Sequence, residues 1–334
     1  MRFIAKRSLG ALITLLLASF LVFVLLEATP GNVANKQLGP WASDASKQIL
    51  FEEMKLGDPL LVRYGRWLGV LLGIIDDPLA HTDLGFADPR GARYFGNFGY
   101  SQLYKVPVND IIWDRLGNTA LLGAICFLVF IPLSILIGVL AAVYEGSIVD
   151  RILSLISVIT TSVPEFASAV ILMGLFVVWL GWLPGTSNLD TDRGWSLASQ
   201  LVLPTAVLAL YITGYVARIV RASMVAVLHS PYIRTARLKN LPPTTVIFVH
   251  ALRNAMIAPF TVILLQVSWI ISGVVVTEVI FGYPGFGRML LEAAQFGDIA
   301  LVEAATLVSL LIAIVTQFAS DLAYRALNPR IRVQ

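Results

Sequence analysis

The sequence predicts an all-α integral membrane protein with six transmembrane helices, and three observations lead to this prediction. Apolar residues make up 57% of the 334 residues and charged residues only 13%, with a mean hydropathy of +0.80. Soluble domains carry about 25% charged residues. Six stretches contain the roughly 20 mostly apolar residues that cross a hydrocarbon core of ~30 Å. Lysine and arginine are also distributed unevenly among the intervening segments.

The apolar stretches define the domain organisation. They cover residues 8–27, 119–143, 152–181, 201–219, 259–281 and 301–323. The first follows MRFIAKR, but its apolar part is longer than a signal-peptide core and no clear cleavage site follows, so we expect a retained helix. The predicted parts are an N-terminal tip with the first helix (1–27), an external insertion (28–118), a core (119–325) with a cytoplasmic loop (220–258), and a tail (326–334).

Positive charge predicts the orientation, because cytoplasmic segments retain an excess of lysine and arginine. If the N-terminus is inside, thirteen Lys and Arg residues lie in or at the edge of cytoplasmic segments. The short external loops 182–200 and 282–300 hold only Arg193 and Arg288. The long segment 28–118 carries nine more, but long translocated segments largely escape the rule. Both termini are therefore predicted to be cytoplasmic.

The external insertion contains LLVRYGRWLGVLLGII, from Leu60 to Ile75. It is too short and too charged to span, so we expect a helix on the outer membrane surface with Trp67 at headgroup level. The loop 76–95 follows and holds four aspartates, Asp76, Asp77, Asp83 and Asp88. Their spacing does not fit a helix–loop–helix calcium site, and turn-forming aspartate is commoner, so no metal site is predicted.

Residues for catalysis are largely missing, so the chain is predicted not to be an enzyme. Its three histidines, His81, His229 and His250, fall in predicted loops, and no HExxH occurs, which disfavours intramembrane proteases. None of the six lysines follows a glycine, so a GxxxxGK[ST] phosphate loop is missing. GYPGFG at 282–287 lacks lysine and is predicted to be an external turn. We expect the chain to bind no cofactor and no nucleic acid.

One carboxylate, Glu165 in SVPEF, lies near the middle of the third predicted span. A charge at the bilayer centre costs at least ~2.5 kcal/mol, and such charges usually face a cavity. A protonated Glu165 would hydrogen-bond to a neighbouring helix, whereas a functional Glu165 would line a polar pathway beside the helix break at Pro164. We favour the pathway, whose predicted residues are Glu165, Pro164, Phe166, Gln266 and Trp269.

The segment HSPYIRTARLKNLPP, from His229 to Pro243, is a compact basic stretch between two apolar segments. Ser230 suits the N-cap and Pro231 the first helical position. Asn240 suits the left-handed C-terminal position, and the two prolines that follow Leu241 prevent continuation. The pattern predicts a helix of two to three turns that is far too short to span.

The predicted helix has distinct faces. Tyr232, Ala236 and Asn240 share one face through their i, i+4 spacing, and basic residues surround the others. The small Ala236 is expected to give another surface room to approach. Basic residues alone would hold this loop against anionic lipid in the cytoplasm. Capping at both ends further suggests a discrete helix that fits a groove on a soluble partner.

The stretch YIRTARLKNLPPTTVIFVHALRNAMIAP, Tyr232 to Pro259, closely resembles the EAA-type cytoplasmic loop of binding-protein-dependent ABC importer permeases. The similarity is to the dipeptide/oligopeptide branch and its first permease subunit type. The chain also carries motifs typical of that family, namely ATPGN (28–32), GDPLLVRYGRWL (57–68), VPVNDIIWDRLGNT (106–119), SVPEF (162–166), VVVTEVIFGYPGFGRMLLEA (274–293) and DLAYRALNPRIR (321–332). Where the family usually has glycine in the loop, this chain has Asn240, which tolerates the same left-handed backbone.

This resemblance implies a type I ABC importer transmembrane fold and a multi-pass permease of the bacterial cytoplasmic (inner) membrane. The implied partners are a second homologous permease forming a heterodimer, two ABC ATPase subunits that bind ATP and Mg, an extracytoplasmic solute-binding protein, and membrane lipid. The implied ATPase-coupling helix consists of Pro231, Tyr232, Ile233, Arg234, Thr235, Ala236, Arg237, Leu238, Lys239 and Asn240.

The implied cargo is a di- or oligopeptide. Relatives in this branch also carry oligosaccharides, opines or nickel complexes, so these remain alternative cargoes. A stand-alone proton-coupled secondary transporter remains the alternative from a different class, with Glu165 as its only deep carboxylate.

Overall fold

The computed structural model describes residues 2–27, 43–53, 55, 57–77, 90–91, 93–191 and 194–327. The motif ATPGN, the residues Asp83, Asp88 and Arg193, and the tail from residue 328 lie outside this described part. The chain forms two compact units, which comprise residues 1–118 with 285–314, and residues 119–284 with 315–334. These units are defined by contacts between residues. They do not test the predicted division into external, membrane and cytoplasmic parts, which stays a prediction.

The described residues are mostly helical, as predicted. The strands β1 (Tyr100–Ser101) and β2 (Val106–Pro107) pair antiparallel, with Tyr100 opposite Pro107. Two π-helical segments, Gly174–Trp179 and Thr245–Leu252, extend neighbouring helices. The α-helices are α1 (Arg2–Glu27), α2 (Asp44–Glu53), α3 (Leu60–Leu71), α4 (Val108–Val143), α5 (Ile148–Ser162), α6 (Glu165–Met173), α7 (Leu197–Leu228), α8 (Pro231–Leu238), α9 (Arg253–Ala255), α10 (Ile257–Gly273), α11 (Val275–Ile280), α12 (Phe286–Phe296) and α13 (Ile299–Leu327).

Helix α3 packs against α1 through aromatic side chains. The Tyr64 hydroxyl lies 2.7 Å from the Ser19 hydroxyl, and the Trp67 ring stacks on Tyr64 with centroids 5.9 Å apart. Trp67 also approaches Phe23 of α1, at 6.4 Å between centroids. The expectation that Trp67 lies at the level of the lipid headgroups stays a prediction. Its ring belongs to an aromatic cluster, because such packing buries a large apolar area.

In the first unit, Asp298 connects the β1–β2 turn to the start of α13. Its Oδ2 accepts hydrogen bonds from the Ser101 hydroxyl at 2.6 Å and from the Leu103 amide at 3.0 Å. Its Oδ1 accepts from the Leu301 amide at 3.2 Å, one of the amides that a helix start leaves without an intrahelical partner. Burial raises the pKa of Asp298, and these hydrogen bonds act in the opposite direction.

Three described helical stretches are long and apolar enough to cross a membrane, namely Val108–Val143, Leu197–Leu228 and Ile299–Ser320. Two bent pairs raise the number to five if each pair is one span. They are Ile148–Ser162 with Glu165–Trp179, bent by 101°, and Thr245–Ala255 with Ile257–Ile270, bent by 54°. The first predicted span corresponds to a shorter apolar stretch, Gly10–Leu26.

The third predicted span, 152–181, is therefore not one straight helix. Pro164 has no N–H to continue the α5 hydrogen-bond ladder, and it disfavours a helical conformation at the preceding residue. Val163 is accordingly extended, with φ −80° and ψ 124°. Glu165 thus begins a new helix, which confirms the predicted helix break at Pro164.

Close packing around α7 organises the second unit. A Cβ at Gly214 of α7 would lie 2.2 Å from the Thr160 hydroxyl oxygen and 2.6 Å from the Ser157 carbonyl oxygen, both on α5. A Cβ at Gly138 of α4 would lie 2.6 Å from the Cβ of Val220 on α7. Small residues allow membrane helices to approach closely, and this packing substitutes for the weak hydrophobic drive inside a bilayer.

Gly214→Val should destabilise the second unit by about 1–3 kcal/mol, the usual range for overpacking. The new side chain would collide with the α5 backbone at Ser157. The measurement is the thermal unfolding midpoint of the protein in detergent. Gly174→Val is the matched control, because nothing lies within 4 Å of a Cβ at Gly174. Equal midpoints for the two variants would contradict the assigned packing.

Candidate functional site

The short helix predicted in the cytoplasmic loop is present as α8, Pro231–Leu238. Ser230 precedes it in an extended conformation, with φ −69° and ψ 150°, and Pro231 occupies the first turn. The predicted side-chain cap is wrong in one respect, because the Ser230 hydroxyl donates to the Val227 carbonyl of α7 instead of accepting from an α8 amide. The helix start therefore relies on Pro231, whose φ is already helical and which has no N–H to satisfy.

The C-terminal end of α8 has the predicted left-handed residue. Asn240 has φ 57°, which confirms that asparagine serves where the related family usually has glycine. Its amide donates to the Arg237 carbonyl at 2.9 Å, and the Leu241 amide donates to the Ala236 carbonyl at 3.4 Å. This pair of bonds is the Schellman motif. Leu241 packs against the apolar core of the second unit and so completes the cap.

One face of α8 is buried within the chain. Ile233 is fully buried and Ala236 is 8% exposed, and both share a core cluster with Val246 and Ala251 of the following π-helix. The expectation that Ala236 gives a partner room to approach is therefore wrong. Its small side chain allows α8 to pack on its own loop. The Tyr232 hydroxyl accepts a hydrogen bond from the Asn254 amide nitrogen at 3.1 Å, which adds a second attachment to that loop.

The opposite face of α8 is exposed. Leu238 has 79% of its surface accessible and is the large apolar side chain that this face presents. Exposed neighbours around it include the basic residues Arg234, Arg237 and Lys239. An apolar side chain among cations on a rigidly attached helix suits insertion into a groove with an acidic rim.

An ion pair joins α5 to α7 in the second unit. Arg221 Nε lies 2.6 Å from Asp150 Oδ1, and Nη2 lies 2.7 Å from Oδ2, a bidentate arrangement. The Gly146 amide and the Ser154 hydroxyl also donate to Asp150, at 2.9 and 3.2 Å. Sequence reasoning missed this pair because its members are 71 residues apart and belong to no local pattern. It holds the C-terminal part of α7, which leads directly into α8.

A cavity of about 200 Å³ lies at the bend between α5 and α6. It brings together three of the five predicted pathway residues. Phe166, which is 58% exposed, and the buried Gln266 do not line it. Tyr211 of α7 also lines the cavity. Sequence reasoning missed it because Trp269, the other aromatic residue of the lining, lies on α10, far from Tyr211 along the chain. The cavity is lined by Thr161, Ser162, Val163, Pro164, Glu165, Tyr211 and Trp269.

Glu165 has a contact expected from each of the two alternatives, a hydrogen bond to another helix and a place in a cavity lining, so its role stays a prediction. Its Oε1 accepts a hydrogen bond from the hydroxyl of Thr277, a fully buried residue of α11, and its side chain also lines the cavity. Glu165 is the first residue of α6, where the helix dipole favours negative charge.

In the described ranges, no group of three His, Cys, Asp or Glu side chains could hold a metal ion.

Comparison with known protein families identifies the family of this chain. The model of the binding-protein-dependent transport system inner membrane component matches residues 134–333. The corresponding N-terminal model of the membrane component matches residues 1–123. The chain belongs to the binding-protein-dependent transport permeases. The resemblance inferred from the loop and its accompanying motifs is confirmed.

The similar proteins align with this permease over almost its whole length. It is 32% identical to a probable peptide ABC transporter permease protein, y4tP, of Sinorhizobium fredii (strain NBRC 101917 / NGR234), over 99% of each chain. It is 32% identical to the oligopeptide transport system permease protein AppB of Bacillus subtilis (strain 168), over 98% of each chain. It is also 32% identical to the glutathione transport system permease protein GsiC of Salmonella paratyphi A (strain ATCC 9150 / SARB42), over 99% of each chain.

These matches confirm the predicted fold class. This permease is an α-helical inner membrane component with the type I importer transmembrane fold. Its family is named for dependence on a binding protein and implies ATPase partners, which favours the importer over a stand-alone secondary transporter. The roles of α8 and of the cavity stay predictions at this point.

Asp150→Ala should destabilise the permease by about 2 kcal/mol or more, because it leaves Arg221 without its buried carboxylate partner. The measurement is the thermal unfolding midpoint in detergent. The control is the double variant Asp150→Ala/Arg221→Leu, which removes both charges and should recover part of the loss. A midpoint for Asp150→Ala equal to that of the unmodified protein would contradict a stabilising role for the pair.

Proposed function

We propose that this chain is the transmembrane permease subunit of an ATP-driven importer that moves di- and oligopeptides across the cytoplasmic membrane. The observation that carries the proposal is the full-length similarity to permeases named for peptides, oligopeptides and glutathione. Glutathione is itself a tripeptide, so these three names describe one chemical class of cargo. Oligosaccharides, opines and nickel complexes are the alternative cargoes.

The proposed assembly contains a second homologous permease, two ABC ATPase subunits and an extracytoplasmic solute-binding protein. ATP and Mg bind to the ATPase subunits, because this chain lacks a glycine–lysine phosphate loop. The permease itself performs no catalysis. Both termini are cytoplasmic, in agreement with the distribution of Lys and Arg.

In the proposed mechanism, α8 transmits the movement of an ATPase to the membrane helices. Its exposed face, centred on Leu238, docks on the ATPase, and its buried face, through Ile233 and Ala236, is part of the permease core. A displacement of α8 therefore acts on the same core to which α7 contributes Met224 and Val220. The cavity at the bend between α5 and α6 lies on the translocation pathway, which opens alternately to the two sides.

The function is tested by uptake in proteoliposomes that contain the permease, its co-purifying subunits and the cognate binding protein. Radiolabelled trialanine should accumulate only with ATP inside the vesicles and binding protein outside. An oligosaccharide and a nickel complex serve as competing cargoes in parallel assays. Uptake of one of these without any uptake of trialanine would overturn the assignment of peptide cargo.

Leu238→Glu should reduce ATPase co-purification or ATP-dependent uptake by about tenfold or more, because it places a carboxylate at the proposed apolar anchor. Leu61→Glu is the matched control, since Leu61 is a similarly exposed leucine on α3. Both variants are expected to insert and to keep the unfolding midpoint of the unmodified chain. Normal co-purification together with normal uptake in the Leu238 variant would contradict the docking face.

A further inference from the structure

The cavity beside Glu165 combines a carboxylate with two aromatic rings. We infer that this cavity is a subsite that binds the positively charged nitrogen of the cargo as it crosses the permease. The inference rests on the proposed function, because it requires that a cargo passes through the cavity. It adds the chemical group that is recognised and the residues that recognise it.

The polar side chains of the cavity suit an ammonium ligand. Thr277 supplies a hydrogen bond to one carboxylate oxygen of Glu165, and a carboxylate has room for further donors. The hydroxyls of Thr161 and Ser162 donate to carbonyls of their own helix, so the atoms with which they can meet a ligand are acceptor oxygens. An ammonium group has only donors, so the cavity offers it complementary acceptors.

The aromatic wall favours the same ligand. The rings of Tyr211 and Trp269 are stacked, with centroids 5.6 Å apart and an angle of 22° between their planes. Both residues line the cavity together with Glu165. A cation near the face of a tryptophan or tyrosine ring is attracted to it, most strongly where water is scarce. A carboxylate together with two aromatic rings in one lining thus favours a cation over a neutral or anionic group.

The size of the cavity indicates a subsite and not a site for a whole peptide. A volume of about 200 Å³ is below the ~300 Å³ at which pockets for complete small ligands begin. It accommodates an ammonium group and the atoms next to it. The ammonium can come from the peptide amino terminus or from a basic side chain, and the experiment separates these two sources.

The first experiment compares uptake by Glu165→Gln with uptake by the unmodified permease, using one binding protein for both. The cargoes are trialanine and Ala-Lys-Ala. For each peptide, the uptake rate of the variant is divided by that of the unmodified permease. The selectivity of the binding protein therefore cancels. We expect Glu165→Gln to lower uptake about tenfold or more, as for the loss of a charged hydrogen bond. An equal loss for both peptides identifies the amino terminus, and a loss confined to Ala-Lys-Ala identifies the side chain.

The controls separate recognition from folding. Glu165→Asp retains the charge and should restore part of the uptake, and Glu52→Gln removes an exposed carboxylate that does not line the cavity. Co-purification with the ATPase subunits should be unchanged in all three variants, and Glu52→Gln should also retain basal ATP hydrolysis. Uptake of both peptides by Glu165→Gln at the unmodified rate would overturn the inference, while the proposed peptide importer would stand.

A second measurement does not depend on transport. The assembled complex is labelled with 5-fluorotryptophan, and the Trp269 ¹⁹F resonance is assigned with Trp269→Phe. Trialanine amide should shift this resonance, whereas N-acetyl-trialanine amide, which has no positive charge, should not. Glu165→Gln should abolish the shift, and the Trp179 resonance serves as an internal control, because Trp179 is exposed and does not line the cavity.

The two measurements distinguish the two proposals. If the unmodified complex imports no peptide but the Trp269 resonance shifts with the cation, the peptide importer is wrong and the cation subsite stands. If peptides are imported but the resonance ignores the cation or responds equally to the acetylated amide, the subsite is wrong.

Discussion

The close approach of α4 and α5 to α7 is the constraint on which the second unit depends. Gly138 and Gly214 leave no room for even one methyl group at these crossings. Lipid tails are as apolar as the helices themselves, so such contacts and polar links must stabilise the packing. The Asp150–Arg221 pair supplies a polar link between α5 and α7. With α7 held in this way, the loop that follows it begins from a defined position.

Helix α8 illustrates how one short segment can serve two purposes. Its buried face, with Ile233 and Ala236, belongs to the permease core, and its exposed face presents Leu238 among basic residues. The cap at Asn240 and the attachment of Tyr232 to Asn254 fix the helix at both ends. A rigid element with one face in the core and one face exposed can transmit force, whereas a flexible loop would absorb it. This is the physical basis of the proposed coupling role.

The bend at Pro164 has a similar double consequence. It interrupts an apolar stretch that is long enough to span, and it exposes the start of α6, where a negative charge is favourable. Glu165 occupies that position, is hydrogen-bonded by Thr277 and faces a cavity bounded by Tyr211 and Trp269. The cost of a carboxylate in an apolar segment is thereby reduced by donors, by the helix start and by the cavity. The same features make the carboxylate available to the cationic group of the proposed cargo.

The sequence by itself determined the membrane class, the helical character and the bounds of α8, because these follow from local composition, proline positions and the tolerance of Asn240 for a left-handed backbone. It also revealed the family, through motifs spread along the chain. Only the tertiary structure decided which way the side chains point. Trp67 packs on α1, Ala236 faces the core, and Phe166 and Gln266 lie off the cavity that Tyr211 lines. Helical periodicity identifies residues that share a face, but it does not say what that face meets. Pairs such as Asp150 and Arg221, separated by 71 residues, meet only when the helices have packed.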